Sequence, residues 1–306
     1  MERTAKNRPT ATSVIARGSI AGTAWLAACR ITVRTSLRGM SFAEFSGSIP
    51  RHYDEYLAPV MFEPYAADLV GRLRMSDGMR VLELACGTGV VTRRLRAALP
   101  ESATLVATDL NEAMVSYARE AVPAPGIEWQ TADAQALPFA DASFDAVVCQ
   151  FGIMFLPDTA LGFAEAHRVL VPGGALLANA WLSLASNPVH ASIDEAVAAL
   201  YPDDPPRFLD VPYGYHDRGR ILADAAAGGF SDVHLDEVHV QAQGPSARDY
   251  VTGFVRGTPL NHGLTQRGAD LDEVVLQVAD VVGARHGVTP VTVDLAATVI
   301  TAARDR

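Results

Sequence analysis

The 306-residue chain is poor in three things that would each have named a class of protein. It has three cysteines, Cys29, Cys86 and Cys149, and none stands in a CxxC or Cys/His ligand spacing. That excludes a disulfide framework and a structural zinc site, and no metal is expected. Unpaired thiols fit a reducing compartment, and a cytoplasmic location is expected. Lysine is almost missing: Lys6 is the only one, and arginine supplies the other cations. With a net charge of -10 and no basic cluster in the body of the chain, a phosphate-tracking groove is excluded, and nucleic acid with it. Long apolar runs are also missing. The stretch from Gly18 to Cys29 is mildly hydrophobic and too short to span a bilayer, so no membrane span is expected. What is present is ordinary: 49% hydrophobic and 20% charged residues, the balance of a globular protein. The length suits one large domain, or one domain with a subdomain.

Residues 1–39 differ from the rest. They hold seven cations against the single acid Glu2, and they are rich in Ser, Thr and Ala. Three readings compete: an Arg-rich transit peptide, a secretory signal in which Leu26-Ala27-Ala28-Cys29 resembles a lipoprotein cleavage box, or a disordered extension with the functional chain beginning at Met40. The last is favoured here, since export would part the protein from a cytosolic cofactor.

Beyond it, segments of two periods alternate. A helical pattern runs from Phe42 to Leu73 and is broken at Ser76-Asp77-Gly78. Short apolar strands are expected at 81–85, 104–108, 127–131, 144–149 and 175–181, with helices at 90–99, 111–121 and 160–170 between them. Such alternation implies right-handed crossovers and a parallel sheet with helices on both faces. Residues 183–217 break the rhythm with Pro, Tyr and His and read as a cap over the site mouth. A helix at 218–227 precedes an alternating stretch, 233–243, that reads as part of a terminal hairpin; the remainder, to 306, reads as mostly helical. The expected division is thus 40–78, 79–182, 183–217 and 218–306.

The chemistry gathers at the expected strand ends. Glu83-Leu84-Ala85-Cys86-Gly87-Thr88-Gly89 forms a strand–turn–helix whose glycines let backbone approach a ligand. Asp109 ends the second strand, twenty residues past Gly89, where a carboxylate can accept both hydroxyls of a ribose. Asp133, after the third strand, can reach the exocyclic amine of an adenine. Each has a plainer role open to it: a helix N-cap for Asp109 and a turn residue for Asp133. Their agreement in register favours a nucleoside site at the switch point of a doubly wound sheet.

Here a resemblance becomes specific. The run from Val81 to Gly89, the segment Ala107-Thr108-Asp109-Leu110-Asn111, the segment from Asp133 to Phe139, Phe144-Asp145, and the run from Arg168 to Gly174 together resemble class I S-adenosylmethionine-dependent methyltransferases. The nearest group is that of ubiquinone/menaquinone C-methyltransferase-like proteins with a methyltransferase type 11 domain. The resemblance covers about residues 50–182. It implies a doubly wound, mostly parallel seven-stranded α/β sheet, Rossmann-like, with a terminal antiparallel hairpin and a small cap. It implies S-adenosyl-L-methionine as cofactor, with Glu83, Ala85, Gly87 and Gly89 around the methionine end and Asp109 on the ribose. Leu110, Met114, Asp133 and Ala134 would then surround adenine, with Gln150 near the sulfonium. Tyr53 and Tyr56 lie on a helix that closes over the cofactor in such proteins; the plainer reading makes both packing residues.

The reaction so implied is in-line methyl transfer to a small, apolar or planar acceptor. Cys149-Gln150-Phe151-Gly152-Ile153-Met154-Phe155 is unusually apolar for a loop at a sheet edge. Phe151, Met154, Trp181 and Tyr215 are therefore expected in an acceptor pocket. A base, if the acceptor needs one, would come from the cap, and His216 is the candidate, with His190 behind it. His167 is expected to be structural. Two other functions stay open: a dinucleotide-dependent oxidoreductase, opposed by Thr92 where a third glycine should stand, and a cofactor-binding protein without catalysis. Identity of the acceptor, and the oligomeric state, stay open as well.

Overall fold

The computed structural model of the protein describes residues 49–306. The basic segment 1–39, and the expected helix start at Phe42, lie outside the described residues. The chain enters through a continuous helical stretch made of α1 (Ile49–His52), a wide π-helical part (Tyr53–Phe62) and α2 (Glu63–Gly71). The sequence pattern over 42–73 predicts one regular helix. The wide turns differ from it, and Pro59, which has no N–H for a helical ladder, lies inside them.

Strands and helices then alternate as β1 (Arg80–Glu83), α3 (Val90–Ala98), β2 (Thr104–Asp109), α4 (Glu112–Ala121), β3 (Ile127–Thr131), β4 (Phe144–Gln150), α5 (Thr159–Val169) and β5 (Leu170–Trp181). The remainder is α6 (Pro188–Leu200), α7 (Arg218–Ala227), β6 (Val233–Gly244), α8 (Ala247–Gly257), α9 (Leu260–Gln266), α10 (Leu271–His286) and β7 (Val291–Ala303). The seven strands form one sheet in the order β3-β2-β1-β4-β5-β7-β6. Strands β1 to β5 are mutually parallel, and β7 runs antiparallel to both neighbours. This is the doubly wound α/β sheet the sequence implies. Its central strands are apolar on both faces because helices cover both: Val81, Leu82, Leu105, Ala146 and Val147 are fully buried.

From β1 the chain steps outward through β2 to β3, then returns to place β4 on the other side of β1. The direction of winding reverses there, so the carboxyl ends of β1 and β4 diverge into a crevice.

Two expectations need correction. The stretch 291–303, read as helical, is strand β7. Strand β6 pairs with it across three intervening helices, so the antiparallel pair at the chain's end is not a tight hairpin. The expected cap, 183–217, is regular helix in its first half: α6 buries Val189, His190 and Ile193, and packs on α10 and β7. Only 201–217 forms an irregular covering. Among the described residues no helix is long and apolar enough to cross a membrane.

Candidate active site at the sheet switch point

The crevice holds a cavity of about 240 Å³. Its floor is the turn after β1. Ala85 and Gly87 both adopt left-handed backbone there, with φ of 52° and 55°. A side chain on Gly87 would have open space around it, so the turn leaves room at its backbone. Gly89 is also left-handed but stands behind the cavity. A Cβ on it would lie 2.9 Å from Val122 Cγ2 and 3.3 Å from Ala118 Cβ, so that glycine lets α3 pack against α4.

Asp109 closes the next side. Its Oδ2 accepts the N–H of Gly87 at 2.9 Å and its Oδ1 accepts the N–H of Asn111 at 2.9 Å. The plainer role open to Asp109 belongs to its neighbour: Asn111 caps α4, its Oδ1 accepting from Ala113 N–H. Asp109 therefore ties two strand ends together while lining the cavity. Burial raises its carboxyl above the usual range, and the N–H groups of Asn111, Gly87 and Leu110 oppose that rise. Asp133 does act as a turn residue, its Oδ1 accepting Gln135 N–H at 2.8 Å, and it lines the cavity too. Leu110, Met114 and Ala134 complete that end. Leu110, in the loop after β2, is 48% exposed.

Glu83 lies beneath, 2% exposed at the end of β1. Burial pushes its carboxyl up to about 8, with Thr92 opposing and the charge of Asp109 adding to the rise. Its Oε2 is buried and has no hydrogen-bond partner in the protein. Oε1 of Gln150 is in the same state, while the Nε2 of Gln150 donates to the Phe62 carbonyl at 3.2 Å. Of the two, Gln150 lines the cavity and Glu83 does not.

The roof is the π-helical stretch. Tyr53 lines the cavity and stacks on Phe62, with ring centroids 4.8 Å apart. Asp54 latches this stretch to the glycine turn: its carboxylate accepts the Thr88 hydroxyl at 3.1 Å and the Tyr117 hydroxyl at 3.3 Å. Tyr56 lies off the cavity, against Gly253 of α8.

A second cavity of about 70 Å³ adjoins the first, and Tyr53, Phe151 and Phe155 line both. Phe151 is the hinge of the arrangement. It is a non-glycine residue with φ of 49°, its N–H donates to Asn179 Oδ1 at 2.8 Å, and its ring stacks on Trp181 at 3.7 Å. Left-handed backbone at a large side chain costs energy and is kept where surrounding structure enforces it, which occurs often at functional sites. Gly152 is enforced by the same approach: a Cβ there would fall 2.5 Å from Ala85 Cβ.

Several expected residues fall elsewhere. His216 is exposed, lines neither cavity, and gives its Nδ1–H to the Tyr213 carbonyl at 2.7 Å; its side chain holds a loop. Tyr215 is buried with its hydroxyl on Asp224 at 3.0 Å, away from both cavities. Met154 is buried beneath the loop, and Phe155 takes the lining position instead. Trp181 and Phe151 do meet in the second cavity. Leu209 and Tyr213 reach it from the expected cap, whereas Leu57, and Phe254 with Thr258 from the end of α8, come from segments with no sequence signal for this place. Only contact across the fold brings α8 to the site. Behind Tyr213 sits His190, fully buried, bonded through Nδ1 to the Tyr213 hydroxyl and through Nε2 to the Tyr250 hydroxyl at 2.6 Å.

Residues 82–178 match a methyltransferase domain family. The chain is 39% identical over 109 residues to the ubiquinone/menaquinone biosynthesis C-methyltransferase UbiE of Geotalea uraniireducens (strain Rf4), covering 34% of this chain and 46% of that one. It is 40% identical over 115 residues to a malonyl-[acyl-carrier protein] O-methyltransferase of Hahella chejuensis (strain KCTC 2396), covering 38% and 41%. The aligned parts are thus less than half of these curated relatives. The fold of a Haemonchus contortus phosphoethanolamine N-methyltransferase 2, solved with S-adenosyl-L-methionine, superposes with a TM-score of 0.57 at 16% identity, over 87% of this chain and 60% of that one. The segment 82–178 is a methyltransferase domain, and the sheet that carries it is that of the class I S-adenosylmethionine-dependent methyltransferases.

Proposed function

We propose that this protein transfers a methyl group from S-adenosylmethionine to a small apolar or planar acceptor by in-line displacement. The observation that carries this reading is the pair of adjoining cavities. One is edged by carboxylates and backbone polar groups, the other is aromatic, and Tyr53, Phe151 and Phe155 stand where they meet.

The residues present fit that cofactor. A ribose needs a carboxylate with lone pairs to spare, and Asp109 keeps such pairs after its two backbone bonds. The unmatched Oε1 of Gln150, which lines the cavity, needs a donor, which an α-amino group supplies. Leu110, Met114 and Ala134 offer apolar faces to a base. When bound, the cofactor supplies an electrophilic methyl on a positively charged sulfur. The protein's own part is positional. Asp54 holds the π-helical roof down on the glycine turn, and Tyr53 presents an aromatic face to the cavity, which favours a cation beside it. Phe151 and Trp181 fix the acceptor wall. Exclusion of water and orientation of two reactants can supply about 7–11 kcal/mol of a displacement barrier.

Calorimetric titration with S-adenosylmethionine tests the cofactor assignment. Incubation with methyl-deuterated cofactor and small-molecule extracts, followed by mass spectrometry, tests the transfer. Absence of cofactor binding by the folded protein would overturn the proposal. Cofactor binding with no deuterated product in any extract would leave a binding protein.

A further inference from the structure

The acceptor cavity lies among aromatic and aliphatic side chains, and among the described residues none of those lining it carries a carboxylate, imidazole, ammonium or guanidinium group. Its polar members are Tyr53, Tyr213, Thr258 and Trp181, whose indole N–H donates but cannot take up a proton. The Thr258 hydroxyl is spent on the Phe254 carbonyl at 2.7 Å. The Tyr213 hydroxyl is spent on His190, and burial raises the phenol of Tyr213 well above its ordinary value. Tyr53 is raised by burial and by the charges of Asp109 and Asp54. Neither phenol serves as a base near neutral pH.

The groups behind the walls are no better placed. His190 has both ring nitrogens engaged by Tyr213 and Tyr250, and burial pushes it down to about 3, so it stays neutral and takes no further proton. The hydroxyl of Tyr65 is committed to the Val238 carbonyl, and burial pushes the Cys149 thiol up to about 12. On the covering loop, Arg207 and Asp210 form an exposed pair on the outside. Asp109 and Glu83 belong to the cofactor end, and neither lines this cavity.

Methylation of a neutral hydroxyl must release a proton, and this cavity offers no side chain to take it; a neutral amine needs no base, but it would leave an ammonium where no lining carboxylate can pair it. A nucleophile that has already lost its proton to water needs neither. Its lone pair forms the bond to the methyl carbon while the carbon–sulfur pair returns to sulfur, and the negative and positive charges cancel. An apolar cavity favours that cancellation, because charges strengthen one another where water is excluded. The aromatic walls at Phe151, Trp181 and Tyr213 suit a flat ring. From this geometry we infer that the acceptor is a ring-bearing oxyanion, an acidic phenol or enol that enters ionised, and that the charge of the cofactor's sulfonium is what draws it in. This rests on the methyltransferase reading above.

The probe is 4-nitrophenol, whose phenol and phenolate absorb at different wavelengths, with 4-nitroanisole as its neutral counterpart. The full chain is first loaded with S-adenosylmethionine or with S-adenosylhomocysteine, and loading is read by calorimetry. Failure at that step overturns the methyltransferase reading and this one with it. With loading achieved, the spectrum of bound nitrophenol is followed across pH. The expected result is an apparent pKa at least one unit lower in the S-adenosylmethionine complex than in the S-adenosylhomocysteine complex, a tenfold shift toward phenolate. A difference that follows the sulfonium also places the probe beside it. Equal pKa values in the two complexes, equally tight binding of 4-nitroanisole, or no binding of 4-nitrophenol would each overturn the inference and leave the cofactor assignment standing.

Discussion

At the scale of single residues, Asp109 and Glu83 show how one sheet edge makes two different carboxyls. Asp109 is held by two backbone N–H groups, which favour its charged form; Glu83 has a buried oxygen with no partner, which disfavours it. Replacing Asp109 with alanine is expected to weaken S-adenosylmethionine binding by about 1.5–3 kcal/mol, the worth of charge-assisted hydrogen bonds. Calorimetry on the folded variant checks this, and unchanged affinity would remove Asp109 from the ribose. Glu83 carries a pH dependence. Its carboxyl holds a proton more tightly in the folded protein, up to about 8 against an ordinary 4.5. That preference stabilises the fold fully below 4.5 and is lost as pH rises through 8, at about 1.4 kcal/mol per unit of pH in between. The cofactor-free protein should therefore lose melting temperature across that interval, and Glu83→Gln should flatten the loss. A variant whose melting curve keeps the wild-type slope would show that Glu83 ionises freely. His190 acts at the other end of the scale: its depressed pKa makes stability fall only as pH drops below its ordinary 6.5 toward 3.

At the scale of elements, the roof depends on a helix distant in sequence. α8 lies against the π-helical stretch through Gly253 and Gly257, and a Cβ at Gly257 would sit 2.7 Å from the Tyr53 backbone nitrogen. Backbone cannot swing aside as a side-chain tip can, so Gly257→Val should push Tyr53 out of both cavities. The expected cost is about 1–3 kcal/mol of stability together with a drop in cofactor affinity. Melting and calorimetry on the same sample separate the two, and a destabilised variant with wild-type affinity would show that α8 supports the fold without positioning the roof. This dependence was invisible in the sequence, where 247–286 read only as helix. The loop ends after β1, β2 and β3 were legible because turn glycines and strand-terminal acids act locally, as at Gly87 and Asp109. The walls of the second cavity were legible only in part: the segment that carries Leu209 and Tyr213 read as a cap, but Leu57 and Phe254 come from two other segments and meet it only in three dimensions. Strand β7 was hidden for a related reason. It lies between β5 and β6, and Leu295 through Ile300 are buried without alternation, so the Ala-rich run lacks the period of two that marks a half-exposed strand. The aromatic residues of 201–217 pointed to a cap, but Tyr215 and His216 hold the loop's own shape, and Leu209 and Tyr213 supply its inner face.

At the scale of the whole molecule, the net charge of -10 acts on ligands before any contact is made. S-adenosylmethionine carries one more positive charge than S-adenosylhomocysteine, and the two are otherwise nearly the same shape. A negative protein therefore favours the methyl donor over the spent product, in addition to whatever Tyr53 contributes at the sulfonium. The two contributions differ in range. The long-range field is screened within about 10 Å at 0.1 M salt, whereas an aromatic face in contact with a partly buried cation is hardly screened at all. The ratio of the two dissociation constants, measured by calorimetry at low and at high ionic strength, separates them. The expected outcome is a preference for S-adenosylmethionine that shrinks by a few fold as salt rises and then levels off at the value set by local contacts. A ratio that does not move with salt would show that discrimination lies wholly in the cavity. A preference that grows with salt would contradict the long-range contribution, because screening weakens an attraction between opposite charges and cannot strengthen it.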